Sequence, residues 1–210
     1  MRSSGGCDPA ACSPQIPSPE SGPRYTPSVR EDLDQILITR DAIAARVREL
    51  GAQITADLRT ASNAGGLVIV PVLKGSIIFV ADLIRELPLR VRMSLITVSS
   101  YPGRSTTTRG PVIRGEVSRV LDGRHVLIVD DILDSGRTIR LLRDEIAARS
   151  PLSIRTCVLL RKQIPSALET PCEYVGFDIP DVFVVGYGLD YDDYYRNLPE
   201  IGTLKREAMG

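Results

Sequence analysis

Apolar positions along this chain recur in two alternating patterns. Ile43, Val47, Leu50, Ile54 and Leu58 share the spacing of one helix face, and Thr39 stands where the N-cap belongs. Gly51 inside that helix costs about 1 kcal/mol relative to Ala. Gly65-Gly66 closes the helical region, and Leu67-Val68-Ile69-Val70-Pro71-Val72-Leu73 reads as a buried strand. Next come a helix over 77–87, a strand over 95–98 and a polar loop over 102–111. A strand over 125–130 leads into a helix over 137–148, with Ile139, Leu142 and Ile146 on one face. Strands over 153–160 and 182–185 complete the pattern. Apolar strands alternating with helices predict an α/β fold, a mostly parallel twisted sheet flanked by helices. Ligands on such sheets bind outside the carboxyl ends of the strands.

Residues 1–30 depart from this pattern. They are rich in Pro, Ser and Gly and nearly free of large apolar residues, so they bury too little surface to offset ordering entropy. The expectation is a disordered tail followed by one domain over 31–210. Hydrophobic residues make up 43% of the 210, enough for a sizeable core, and 26 basic side chains balance 26 acidic ones. That balance gives no global argument for a nucleic-acid or membrane partner. No apolar run reaches the length of a membrane span, and no signal peptide is apparent.

The cysteines Cys7, Cys12, Cys157 and Cys172 form no Cys-x-x-Cys pair, and His125 is the single histidine. A structural zinc site is not expected. Nor is a triad built on histidine, because His125 starts a strand. Cys157 reads as core, and the cysteine usage fits a reducing cytoplasm.

The most informative stretch is Val126-Leu-Ile-Val-Asp-Asp-Ile-Leu-Asp-Ser-Gly-Arg-Thr138. An apolar strand runs into Asp130 and Asp131, then turns through Asp134-Ser135-Gly136-Arg137-Thr138 into a helix. The first amides of a helix lack intrahelical acceptors and the dipole is positive there, so the turn suits an anion. Read alone, it is more often an ordinary helix start capped by Asp134 or Ser135, and the preceding Asp130-Asp131 pair is what favours the anion. Carboxylates beside a phosphate repel it unless they grip hydroxyls or Mg²⁺. The run therefore suggests a ligand combining phosphate, sugar hydroxyls and a metal.

This run resembles the phosphoribosyl-pyrophosphate signature of the type I phosphoribosyltransferases. Three further segments resemble the hypoxanthine-guanine branch: Val72-Leu73-Lys74-Gly75-Ser76, Ser99-Ser100-Tyr101, and 183–191 followed by Tyr195-Arg196-Asn197-Leu198-Pro199. The resemblance covers residues 35–205 and implies that family's fold, with a small hood and a polar lid loop. It implies a purine salvage enzyme that transfers the phosphoribosyl group to N9 of hypoxanthine or guanine, giving IMP or GMP and pyrophosphate.

The resemblance also assigns roles. Asp134 would be the acid/base residue near N7 of the purine. Ser135, Gly136, Arg137 and Thr138 would bind the 5′-phosphate, and Asp130 and Asp131 the ribose hydroxyls and Mg²⁺. Many relatives have Glu at the first acid, so Asp130 reaches less far. Leu73, Lys74 and Gly75 would bind pyrophosphate, often with a cis peptide at Leu73–Lys74, and Arg196 would face it. Ser100 and Tyr101 would belong to the lid, where Pro102 and Arg104 depart from the family pattern. Lys162 would donate to the 6-oxo group, which discriminates against the 6-amino group of adenine. Phe183 would stack on the base, the Val184 backbone would meet its edge, and Asp190 would belong to the base site and also bind Mg²⁺. Without the motif, Phe183 and Val184 read as plain strand core. The implied setting is a cytoplasmic homo-oligomer, dimer or tetramer, acting on small molecules. Two rivals stand beside this reading: a xanthine-preferring enzyme, and a non-catalytic nucleotide-sensing regulator on the same fold.

Overall fold

The computed structural model describes residues 27–59, 66–99, 112–114 and 118–209. It begins with a short helix α1 (Pro27–Glu31), strand β1 (Leu33–Ile38) and helix α2 (Arg40–Leu58). The end of the expected tail is therefore ordered as a helical turn whose Val29 packs beside Leu33. Residues 1–26, with Cys7 and Cys12, lie outside the described residues. Thr39 caps α2, its hydroxyl accepting from the Ala42 amide at 3.3 Å. Gly51 sits where a Cβ would lie 2.6 Å from the Cβ of Glu86, so its propensity loss permits close approach of the chain at Glu86.

A five-stranded parallel sheet forms the centre, in the order β3 (Val91–Met93), β2 (Leu67–Pro71), β6 (His125–Leu133), β7 (Ser153–Lys162), β8 (Tyr174–Ile179). Helices α3 (Ile77–Arg85), α4 (Arg137–Ala147) and the short α5 (Pro165–Leu168) follow β2, β6 and β7. The uniformly apolar strands serve two faces at once. Leu67, Ile69, Leu127 and Val129 join Ile43, Val47, Leu50 and Phe79 in one core layer. Val68, Val70, Val126 and Ile128 join Ile139, Leu142 and Ile146 of α4 in the other. Each fully buried aliphatic side chain contributes roughly 1.5–3 kcal/mol.

Three strand assignments differ from the sequence reading. The sheet edge expected over 182–185 is taken by β8. Pro180 follows it, and Val185 instead exchanges both backbone hydrogen bonds with Gly202 of β9 (Ile201–Leu204), at 2.9 and 3.0 Å. β1 and β9 pair antiparallel as a small hood apart from the main sheet. At the other edge, β3 lies beside β2, while the expected strand over 95–98 is displaced to β4 (Thr97–Ser99), which pairs antiparallel with β5 (Val112–Arg114). Finally, β6 runs on to Leu133, pairing with Arg161, so Asp130 and Asp131 lie inside the strand. His125 is structural, its Nδ1 2.8 Å from Ser153 Oγ, and Cys157 is fully buried.

Chain order reverses between β2 and β6, which sends their loops to opposite sides and opens a crevice between them. The Lys74 and Asp134 loops leave the carboxyl ends of these two strands. Among the described residues, no helix is long and apolar enough to cross a membrane.

Candidate active site

The Asp134–Thr138 turn joins β6 to α4. Gly136, rather than Asp134 or Ser135, is the N-cap of α4, and it lies in the left-handed region at φ 73°. A side chain there would be strained and would also collide with Thr170, whose Oγ1 lies 2.0 Å from the position of an added Cβ. The turn is braced from outside. Arg140 donates from Nη2 to the Ser135 carbonyl at 2.6 Å and from Nη1 to Thr170 Oγ1 and the Ser166 carbonyl. Sequence reasoning did not single out Arg140 or Thr170, since neither belongs to a motif. Asp134, Ser135 and Arg137 face solvent, so the turn is an accessible, rigid, amide-rich helix start.

The acids beside it are unequal. Asp130 is buried and accepts the Asp131 amide at 2.9 Å. Burial, with the Asp131 carboxylate adding to it, holds Asp130 well above the usual carboxylate range. Asp131 is partly exposed and lies against Gly75, where a Cβ would stand 1.9 Å from Asp131 Oδ2. Gly75 also presents its carbonyl to Gly188, close enough that a Cβ on Gly188 would be 2.1 Å away. Three segments far apart in sequence thus meet through two glycines. The Leu73–Lys74 peptide is cis, and Ser76, fully buried, donates to the Val72 carbonyl at 2.6 Å to close the same loop.

A charged cluster extends from this junction. Asp193 accepts from Lys74 Nζ at 2.9 Å and from Arg196 Nη2 at 2.8 Å. Arg196 also reaches Asp190 Oδ1 at 2.7 Å and the Gly188 carbonyl at 2.7 Å, and Asp190 Oδ2 accepts the Asp193 amide at 2.9 Å. The Arg196 guanidinium, with Lys74, brings the Asp193 carboxyl down to about 2. Lys74 and Arg196, the two cations expected at pyrophosphate, therefore share one carboxylate. Asp193 was not foreseen, being one of several acids in an Asp-Tyr-Asp-Asp run. Asp192, Asp193 and Tyr195 all take positive φ, which fixes an unusual turn at this point.

Lys162 ends β7 and is largely buried, its side chain 14% exposed. Its ammonium lies 2.8 Å from Asp181 and 3.5 Å from Asp134. Burial opposes its charge, but the two carboxylates outweigh burial and raise its proton affinity above that of an ordinary lysine. Phe183 is half exposed and meets Tyr191 edge-on at 5.7 Å, so the plain-core reading does not hold for it, whereas Val184 is buried. Asp181 escaped sequence reasoning because Ile-Pro-Asp looks like any strand exit.

The described residues therefore bring Leu73, Lys74, Gly75, Asp131, Asp190 and Arg196 together around Gly188. They also bring Asp134 to Lys162. Asp130 is set back as a buried support. Ser100, Tyr101 and the 102–111 lid lie outside the described residues. A cavity of about 510 Å³ between α2, α3 and residues 197–199 is separate, and none of these site residues lines it.

Known proteins resemble this chain over most of its length. Residues 33–192 match the family model described as phosphoribosyl transferase domain. A hypoxanthine-guanine phosphoribosyltransferase from Mycobacterium tuberculosis (strain ATCC 25618 / H37Rv) is 48% identical over 178 residues, covering 82% of this chain and 87% of that protein. One from Dictyostelium discoideum is 42% identical, over 83% of this chain and 97% of its own length. The crystal structure of a hypoxanthine phosphoribosyltransferase from Staphylococcus aureus superposes with a TM-score of 0.78 at 37% identity, covering 89% of this chain and all of that one.

Proposed function

This chain belongs to the type I phosphoribosyltransferase family, in its hypoxanthine-guanine branch, and we propose that it makes IMP and GMP from phosphoribosyl pyrophosphate and 6-oxopurines. The observation that carries this reading is the meeting of the Gly75, Asp131 and Gly188 segments at the switch point of the sheet. That crevice offers amides and cations for two phosphate groups, with carboxylates for a sugar between them. The Lys162 ammonium and the half-exposed Phe183 ring support recognition of a flat ring with a 6-oxo acceptor.

In this reading, the 134–138 turn binds the 5′-phosphate through first-turn amides and the Ser135 and Thr138 hydroxyls. Asp131 grips the ribose hydroxyls while Asp130 shapes the strand beneath. Phe183 stacks on the purine, the Val184 backbone meets its edge, and Lys162 donates to the 6-oxo oxygen. N9 attacks the anomeric carbon as its bond to pyrophosphate breaks, with Lys74 and Arg196 stabilising the leaving oxygens. Asp134 exchanges a proton at N7 and its charge favours the cationic ribosyl centre. For pyrophosphate to be held there, Asp193 has to release Lys74 and Arg196 to the incoming anion.

Mg²⁺ fits the donors present. Asp190 and Asp131 are hard oxygen ligands at the partly exposed junction, and an ion held by one or two carboxylates completes its shell with water and substrate oxygens. No trio of His, Cys, Asp or Glu side chains gathers among the described residues to form an all-protein cage, which suits such a site. Buried Asp130, with its raised proton affinity, suits direct coordination less well. When bound, the ion would neutralise charge on the leaving pyrophosphate.

The test is nucleotide formation from phosphoribosyl pyrophosphate and Mg²⁺ with hypoxanthine, guanine, xanthine or adenine supplied singly. IMP and GMP with adenine inert are expected. No product with any base, despite binding of phosphoribosyl pyrophosphate, would overturn the reading.

A further inference from the structure

Lys162 has two carboxylates in reach, and the reaction described above uses only one of them. Asp134, needed at N7, stands at 3.5 Å, longer than an ordinary N–H···O hydrogen bond. Asp181, with no part in the transfer, stands at 2.8 Å. The backbone fixes this second partner. Lys162 pairs with Ile179 across β7 and β8, and the Gln163 amide donates to the Ile179 carbonyl at 2.9 Å. Asp181 follows two residues later, after Pro180, at the rigid end of the neighbouring strand. Its side chain is 60% exposed, so its free oxygen remains hydrated and its charge costs little to keep.

We propose that Asp181 is the positioning residue of the base pocket: it holds the Lys162 ammonium toward the 6-oxo position and frees Asp134 for N7. The inference rests on the 6-oxopurine reading of the site. An ammonium has three N–H donors in a tetrahedral array. One on Asp181 leaves two, for the 6-oxo oxygen and for Asp134. Without Asp181, the ammonium turns to Asp134 as the remaining carboxylate acting on it, and that pairing competes with the proton exchange. Asp134 and Asp181 are the charged groups that act on Lys162. Asp181 therefore governs both how firmly Lys162 keeps its proton and where it points.

The test is Asp181→Asn in the full chain. The expected result is a rise in the hypoxanthine KM of about tenfold, a fall in kcat of about fivefold as Lys162 competes for Asp134, and an unchanged KM for phosphoribosyl pyrophosphate. The alkaline limb of kcat/KM for hypoxanthine should move to lower pH, and Asp181→Glu should restore it. A hypoxanthine KM and alkaline limb equal to those of the unaltered protein would overturn the proposal. A second readout needs no turnover. The chain has three lysines, Lys74, Lys162 and Lys205, so NMR of isotope-labelled lysine follows Lys162 directly. Loss of its proton at lower pH in Asp181→Asn supports the pairing, and an unmoved titration overturns it. Inactivity of the unaltered protein with every purine would overturn the function reading instead, leaving the lysine titration to decide the Asp181 pairing.

Discussion

Asp131 stands where a side chain on Gly75 would have to go, its Oδ2 1.9 Å from the position of an added Cβ. The contact joins the loop after β2 to the carboxyl-end part of β6, and the Gly75 carbonyl lies close against Gly188. The obstacle is a short carboxylate whose Cγ also lies only 2.6 Å from that position, so turning its oxygens alone makes no room.

Gly75→Ala should therefore displace the pyrophosphate loop from the ribose acids. A misplacement on the order of 1 Å lowers rate by roughly 100-fold. The fall should appear in kcat/KM for phosphoribosyl pyrophosphate, with the unfolding midpoint little changed. Wild-type kinetics would show that the loop tolerates the shift.

Asp134→Asn tests the proton role. The change keeps shape and polarity but removes the base, so kcat should fall by about 100-fold or more while both KM values stay within a few-fold. Near-normal kcat would remove Asp134 from the chemistry and leave it as a partner of Lys162.

Lys162→Ala tests base selection. A site built to pair the 6-oxo group discriminates against adenine because donor meets donor. Removing the ammonium should raise the hypoxanthine KM by about tenfold or more and narrow the ratio of hypoxanthine to adenine use. An unchanged ratio would place selection elsewhere.

Tyr174 predicts a pH effect on stability. Burial pushes its phenol up to about 12 from 10, against the opposing pull of Arg155, while its hydroxyl donates to Asp57 at 2.9 Å. A pKa raised by folding means the contribution is whole below pH 10 and is lost as pH climbs toward 12. Tyr174→Phe should lower the urea midpoint at neutral pH, and the gap to wild type should shrink between pH 10 and 12. A gap constant with pH would contradict this.

Local patterns determined much of this protein. The i, i+3, i+4 spacing of Ile43 to Leu58, the face of Ile139, Leu142 and Ile146, and the unbroken apolar runs at 67–73 and 126–129 are set by neighbours in sequence. Those elements stand in the fold nearly as read. The Asp134–Thr138 turn was legible for the same reason, since a strand, acids, glycine and helix in succession form one continuous structure. Long-range partners decided what the pattern could not. Val182 to Val185 is apolar enough for a sheet strand, but β8 holds that edge and Val185 pairs with Gly202. Asp130 and Asp131 are chemically alike in sequence, and only packing buries the first and presses the second against Gly75. Asp181 and Asp193 look like ordinary surface acids until the fold sets Lys162 beside one and Lys74 and Arg196 beside the other. Periodicity reports which face of an element is covered. It carries no record of which distant charge will stand a few ångströms away, and that is what gives a carboxylate its role.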